Sequence, residues 1–128
     1  MNLLLDTHLL LWSAGRTEKF SSAADNLIND PSNLLWFSAA SLWEIAIKRA
    51  LDRPDFRTEA GPMRAGLLSN GYTELAVDGR HVLALASLPS LHSDPFDRIL
   101  IAQASSEGML LVTADRKVAA YPGPIRLV

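Results

Sequence analysis

Four acidic residues of this chain, Asp6, Glu44, Asp97 and Asp115, have the types and the placement to share a metal ion. Asp6 ends the apolar run Asn2 to Leu5, and Asp115 follows the apolar run Met109 to Val112. Asp97 stands three residues past Asp94-Pro95, a pair that reads as a helix N-cap with proline at the first helical position. Glu44 lies in SAASLWEIAIKRA, where Ala39, Ala40, Leu42, Trp43, Ile45, Ala46 and Ile47 are apolar all round, so this helix is expected to be buried on most sides. A glutamate inside such a helix is costly unless something pairs with it. Four carboxylates brought together without four basic partners repel one another and raise each other's pKa. A hard divalent cation relieves that repulsion, and an all-oxygen donor set suits Mg²⁺ or Mn²⁺.

The elements around these acids predict that they do converge. Pro95 onward reads as a largely apolar helix stopped by Gly108, and Met109 to Val112 as a buried parallel strand. A helix that packs on a sheet and leads into its next strand starts at the strands' C-terminal edge. Asp97 and Asp115 therefore face the same edge, which is where open α/β sheets place ligands. Asp6, ending the first strand, faces it too. Glu44 lies six residues past Ser38, about 9 Å along a helix axis, and its longer side chain reaches back toward that edge.

The rest of the chain reads as alternation. The strand Asn2 to Leu5 is followed by a leucine-rich helix, His8 to Ala14. Ser21 or Ser22 caps a second helix that ends before Pro31. Leu34 to Phe37 is a second strand, and Ser38 opens the helix to about Leu51. Thr58 to Asn70 is expected to be helical despite Gly61, Pro62 and Gly66. Tyr72 to Val77 reads as a strand, Asp78 to Leu88 as a helix, Asp115 to Tyr121 as a short helix and Ile125 to Val128 as a last strand. The expected fold class is α/β: a three-layer α/β/α domain, residues 1–128, with a central, mainly parallel sheet.

Composition narrows the function classes. Net charge is −2 and pI about 5.8, which argues against a protein that coats nucleic acid by bulk positive charge. Taking the four candidate ligands from 14 acidic residues leaves 10 against 12 basic ones, a slightly cationic remainder. There is no cysteine, so disulfides and thiolate metal sites are excluded and a reducing cytoplasm fits. No long uninterrupted apolar run suggests a membrane span, and the N-terminus does not read as a signal peptide.

Each acid also has a simpler reading. Asp6 or Thr7 could cap the helix that follows, Asp115 could cap the last helix, and Asp94 and Asp97 fit the N-cap and N3 positions. Glu44 could pair with Lys48 one turn on. Asp94 is assigned only as a cap. His8, His81 and His92 are scattered and carry no catalytic assignment.

Four blocks, LLLDTHLLLW, FSAASLWEIAIK, DPFDRILIAQA and LLVTAD, occur in the order seen in the PIN-domain ribonucleases. Among these the chain resembles the toxins of VapBC-type toxin–antitoxin pairs; the middle, residues 53–90, matches only in being helical. The resemblance implies a metal-dependent endoribonuclease. Asp6 and Asp97 would hold Mg²⁺ (or Mn²⁺) most directly, Glu44 and Asp115 would complete the shell or bind a second ion, and Thr7 and Thr113 would assist. Ser41, one turn before Glu44, is a further supporting candidate. Hydrolysis of an RNA phosphodiester by metal-activated water, leaving a 5′-phosphate and a 3′-hydroxyl, is the implied reaction. The implied partners are an RNA substrate, a cognate antitoxin and a second copy of the chain.

Arg98 is a candidate phosphate contact, or else the partner of Asp94. Arg53, Arg57 and Arg64 either track RNA phosphates or form a solvated face, and the solvated face is preferred. Trp12, Trp36 and Trp43 read as core, although Trp12 could line a partner groove. Alternatives are a phosphatase of the haloacid dehalogenase type, a phospho-acceptor receiver and a PIN fold without catalysis. The first wants a second aspartate two residues after Asp6, where His8 stands. The receiver wants an acidic pair near the start and a lysine after a later strand. The intact acids argue against the third.

Overall fold

In a computed structural model, which describes residues 1–128, five strands form one sheet of order β3-β2-β1-β4-β5 in which every neighbouring pair is parallel. The strands are β1 (Asn2–Leu5), β2 (Leu34–Ser38), β3 (Thr73–Leu75), β4 (Leu110–Thr113) and β5 (Ile125–Leu127). The helices are α1 (Thr7–Ser13), α2 (Ser22–Asn29), α3 (Ala39–Ala50), α4 (Ala60–Ser69), α5 (Gly79–Ala84), α6 (Pro95–Glu107) and α7 (Arg116–Ala119).

The central strand shows why the layers form. Leu3, Leu4 and Leu5 are all fully buried, and alternate residues point to opposite faces. Leu3 and Leu5 join a core with Leu9, Leu10, Phe37, Ile45, Met63 and Leu67, so α1, α3 and α4 cover one face. Leu4 joins Leu100, Ile101, Ala104, Leu111 and Val118, so α6 and α7 cover the other. Each such leucine contributes roughly 1.5–3 kcal/mol by leaving water. The chain winds outward from β1 to β2 and β3, then returns to the other side of β1 for β4 and β5. The reversal opens a crevice beyond the C-terminal ends of β1 and β4.

α6 begins and ends as its sequence signals require. Asp94 Oδ1 accepts from the backbone N–H groups of Phe96 and Asp97, Pro95 takes the first helical position, and Gly108 turns left-handed at φ 67°. The N–H of Met109 then donates to the Ala104 carbonyl, closing the helix with a six-residue return bond.

Several elements are shorter than expected. α4 spans Ala60–Ser69, with Pro62 in the first turn, where a missing N–H costs no intrahelical bond. β3 keeps only three residues at the sheet edge, because Tyr72 turns back to donate its N–H to the Leu67 carbonyl. The helix expected from Asp78 to Leu88 divides into α5 and a 3₁₀ turn, Leu85–Ser87. A larger correction concerns α3, which is not buried on most sides. It buries Ala40, Ser41, Glu44 and Ile45 along one stripe, while Trp43 is 62% exposed and Ile47, like Leu51 at the C-cap, also faces outward. Trp43 is thus no core residue; it lies edge-on to Phe96, with ring centres 5.1 Å apart. No helix is long and apolar enough to cross a membrane.

Candidate active site

The crevice at the C-terminal edge is a cleft of about 400 Å³ whose walls include Asp6, Glu44, Asp97 and Asp115, with Thr7 beside them. Asp6 caps α1: its Oδ1 accepts from the Leu9 N–H at 3.0 Å. Its Oδ2 accepts from the Thr113 hydroxyl at 2.5 Å, and Thr113 Oγ1 itself accepts from the Asp115 N–H at 3.0 Å. Thr113 therefore fixes the ends of β1 and β4 to each other through the Asp6 carboxylate. Thr7 donates its hydroxyl to Ser41 Oγ at 2.9 Å, which ties the start of α1 to α3, and both residues are buried.

Glu44 is 2% exposed. Its Oε2 accepts from Lys48 Nζ at 2.5 Å, while Oε1 is buried without any hydrogen-bond partner. Lys48 also lies 3.6 Å from Asp94 Oδ2 and packs against the rings of Phe56 and Phe96. Asp97, in the first turn of α6, has its Oδ2 2.8 Å from His92 Nε2. Asp115 caps α7 by accepting from the Lys117 N–H at 2.8 Å, and is exposed. Capping and site-building thus coexist, because a carboxylate has about four acceptor positions and a cap uses one.

The electrostatics follow from this crowding. Burial pushes the Asp6 carboxyl above the usual range, against the lowering effect of the Thr113 and Leu9 hydrogen bonds. Asp97 is pushed up to about 6, by burial first and by the neighbouring Asp94 charge next, despite the His92 contact. Burial acts to lower the Lys48 pKa, but Glu44, Asp94 and Asp97 outweigh it and hold the ammonium above its ordinary value. Lys48 is an internal counter-ion, one cation among several acids. It leaves Glu44 Oε1 unmatched, and an unpaired buried carboxylate oxygen calls for a further partner. Asp6, Glu44, Asp97 and Asp115 line one cleft, but no three of them bring ligand atoms within 4.8 Å of one another, as His92, Asp94 and Asp97 do. What suits a hard divalent cation is the oxygen chemistry of the donor set.

His92 and Lys48, absent from the sequence-derived site, both line the cleft. Lys48 was legible as the residue one turn after Glu44. His92 was not, because it sits in the irregular segment before Asp94 and has no spacing signal. Ligand atoms of His92, Asp94 and Asp97 lie within 4.8 Å of one another, so Asp94 caps α6 beside the site. Arg98 is a correction. Its Nη1 donates to the Pro89 carbonyl at 2.8 Å and to the Tyr121 hydroxyl at 3.1 Å, so it braces the loop before α6 and neither lines the cleft nor pairs with Asp94. Arg64 pairs with Glu74, away from the acids.

A family model described as the PIN domain matches residues 3–124. The chain belongs to the PIN-domain family. This PIN domain is 27% identical over 122 residues to ribonuclease VapC22 of Mycobacterium tuberculosis, covering 95% of this chain and 93% of that protein. Its fold is similar to a chain of VapBC2 from Rickettsia felis bound to a DNA fragment from the promoter, with TM-score 0.73, 15% identity and 99% and 98% of the two chains covered. It is also similar to a chain of DNA-bound VapBC from Salmonella typhimurium, with TM-score 0.66, 17% identity and 98% and 97% covered. Membership of the family sets aside the haloacid dehalogenase and receiver readings of this PIN domain.

Proposed function

We propose that this PIN domain is a Mg²⁺- or Mn²⁺-dependent endoribonuclease, the toxin of a toxin–antitoxin pair acting on cytoplasmic RNA. The observation that carries the reading is the buried, unpartnered Glu44 Oε1 in a cleft whose other acids come from three separate elements. The likeness to ribonuclease VapC22 along nearly the whole chain supports the substrate class. Asp6 and Asp97 would hold the cation most directly, with Glu44 and Asp115 completing its shell or holding a second ion. A bound cation supplies water activation at neutral pH and charge to offset that developing on the phosphodiester.

The chain's own residues do the positioning. Thr113 orients Asp6 by donating to Oδ2, and His92 orients Asp97 through its Oδ2. Such supporting contacts typically affect metal affinity or activity by about 10–100-fold. Lys48 holds Glu44 by Oε2 alone, which leaves Oε1 for the ion. An antitoxin and a second copy of the chain are the proposed protein partners. The exposed stripe of Trp43 and Ile47 on α3, with Leu51 at its C-cap, supports an additional protein contact of this kind.

The test is RNA cleavage by the purified protein with Mg²⁺ or Mn²⁺, with EDTA, and by the Asp97→Asn variant. Cleavage is expected with either metal and is expected to vanish with EDTA and in the variant. Cleavage that survives thorough chelation contradicts the mechanism. A stable, metal-loaded wild type that cuts no RNA favours the PIN fold as a binding module.

A further inference from the structure

A second groove, of about 320 Å³, adjoins the acidic cleft and shares His8 and Trp12 with it. Its charge is the reverse: Arg16, Lys19 and Arg57 line it against the single acid Asp55. Arg16 is paired with Glu18 at 2.6 Å, and Asp55 lies 3.9 Å from His8. Lys19 and Arg57 form no ion pair, although both are exposed in a chain of net charge −2. Lys19 Nζ lies 5.7 Å from the centre of the Trp12 ring, and Phe20 buttresses that ring edge-on at 6.2 Å. Beyond Arg57 a neighbouring groove is lined by Arg53, Arg49 and the acid Asp52, and Arg49 is paired with Glu59 at 3.4 Å.

We propose that this groove is a track for single-stranded RNA leading to or from the cleft. In it Trp12 becomes a stacking platform for one base as Lys19, whose ammonium lies over its ring, swings to the adjacent phosphate, and Arg57 contacts the next one. The proposal rests on the ribonuclease reading and names where that substrate is held. The acidic cleft repels a phosphate chain until metal neutralises it, so affinity for the rest of the strand must come from outside the cleft. A fixed aromatic ring flanked by unpaired cations binds single strands with little base preference, because every base has a face to stack. Duplex RNA has those faces occupied. For Arg57 the proposal takes up the phosphate-tracking alternative in place of the solvated face, while Arg64 is paired with Glu74.

The experiment measures binding of a labelled oligouridylate and of a duplex RNA to metal-free protein across a salt series, then cleavage of the single strand with Mn²⁺. Wild type is compared with Trp12→Phe and with the double variant Lys19→Ala/Arg57→Ala, whose substituted side chains are exposed. The double variant should bind the single strand about tenfold more weakly, with the salt slope reduced by about 1.4 for two lost phosphate contacts. KM should rise in proportion while kcat holds. The oligouridylate should quench tryptophan emission in wild type and much less in Trp12→Phe. Unchanged binding, slope and KM in a wild type that cuts RNA overturns the groove and leaves the nuclease reading intact. Equal wild-type affinity for duplex also overturns it. A wild type that cuts no RNA, with binding lost in the double variant, refutes the nuclease reading and keeps the groove.

Discussion

Asp97→Asn should stabilise the metal-free protein near neutral pH, because the native fold holds that carboxylate against its own burial and against Asp94. Its pKa rises from 3.8 to about 6 on folding. Between those values the folded chain binds more protons than the unfolded one, so stability falls as pH rises through the window and the full penalty is present above about 6. A rise of that size corresponds to at most about 3 kcal/mol. The side chain retains 18% exposure and solvent screens part of that, and asparagine weakens the contact with His92. A net gain of about 1 kcal/mol remains, or roughly 3–5 °C in Tm for a chain of this size. Thermal melts in EDTA at pH 4.5 and pH 7.5 check it: the variant should melt higher at 7.5, and the gap should shrink at 4.5, where the native carboxyl is protonated. Excess Mg²⁺ should raise the wild type more than the variant, by mass action on an intact site. A variant that melts lower at pH 7.5, or a gap that does not depend on pH, refutes the reasoning.

Asp94→Asn should keep activity within about tenfold, because asparagine caps a helix about as well as aspartate, whereas Asp97→Asn should lose a hundredfold or more; RNA cleavage rates separate the two. Lys48→Met leaves the buried Glu44 carboxylate without its counter-ion, so the metal-free protein should lose about 2–3 kcal/mol in denaturant melts, with part restored by Mg²⁺. Thr113→Val removes the hydroxyl that donates to Asp6 and should cost about 1.5–3 kcal/mol in the same assay.

The edge of the sheet could be read from the chain because it depends on local signals that few contacts override. Asp94-Pro95 and Gly108 bound α6 by backbone chemistry alone, and an apolar run ended by Asp6 or followed by Asp115 places each at the strands' C-terminal edge. Residues whose positions depend on tertiary packing were less legible. His92 reaches Asp97 from a segment without periodicity, and Arg98 turns away because Pro89 and Tyr121 offer it acceptors. The exposure of α3 also escaped, since apolar composition on every side of a helix does not tell which side finds a partner. Asp6 and Asp115 are both caps, and a cap does not exclude the proposed ligand role, as each carboxylate can accept from a helix N–H and retain an acceptor position.

The central claim is that acids from four elements form one divalent-cation site. Titration calorimetry with Mn²⁺ on wild type, Asp6→Asn, Glu44→Gln, Asp97→Asn and Asp115→Asn tests it directly, without depending on the RNA. Measurable binding to wild type is expected, weakened about tenfold or more in each variant, with the exposed Asp115 giving the smallest effect. Mn²⁺ binding that is undiminished in Asp6→Asn, Glu44→Gln and Asp97→Asn, or absent from a folded wild type, would contradict a shared site and return the acids to separate caps and ion pairs.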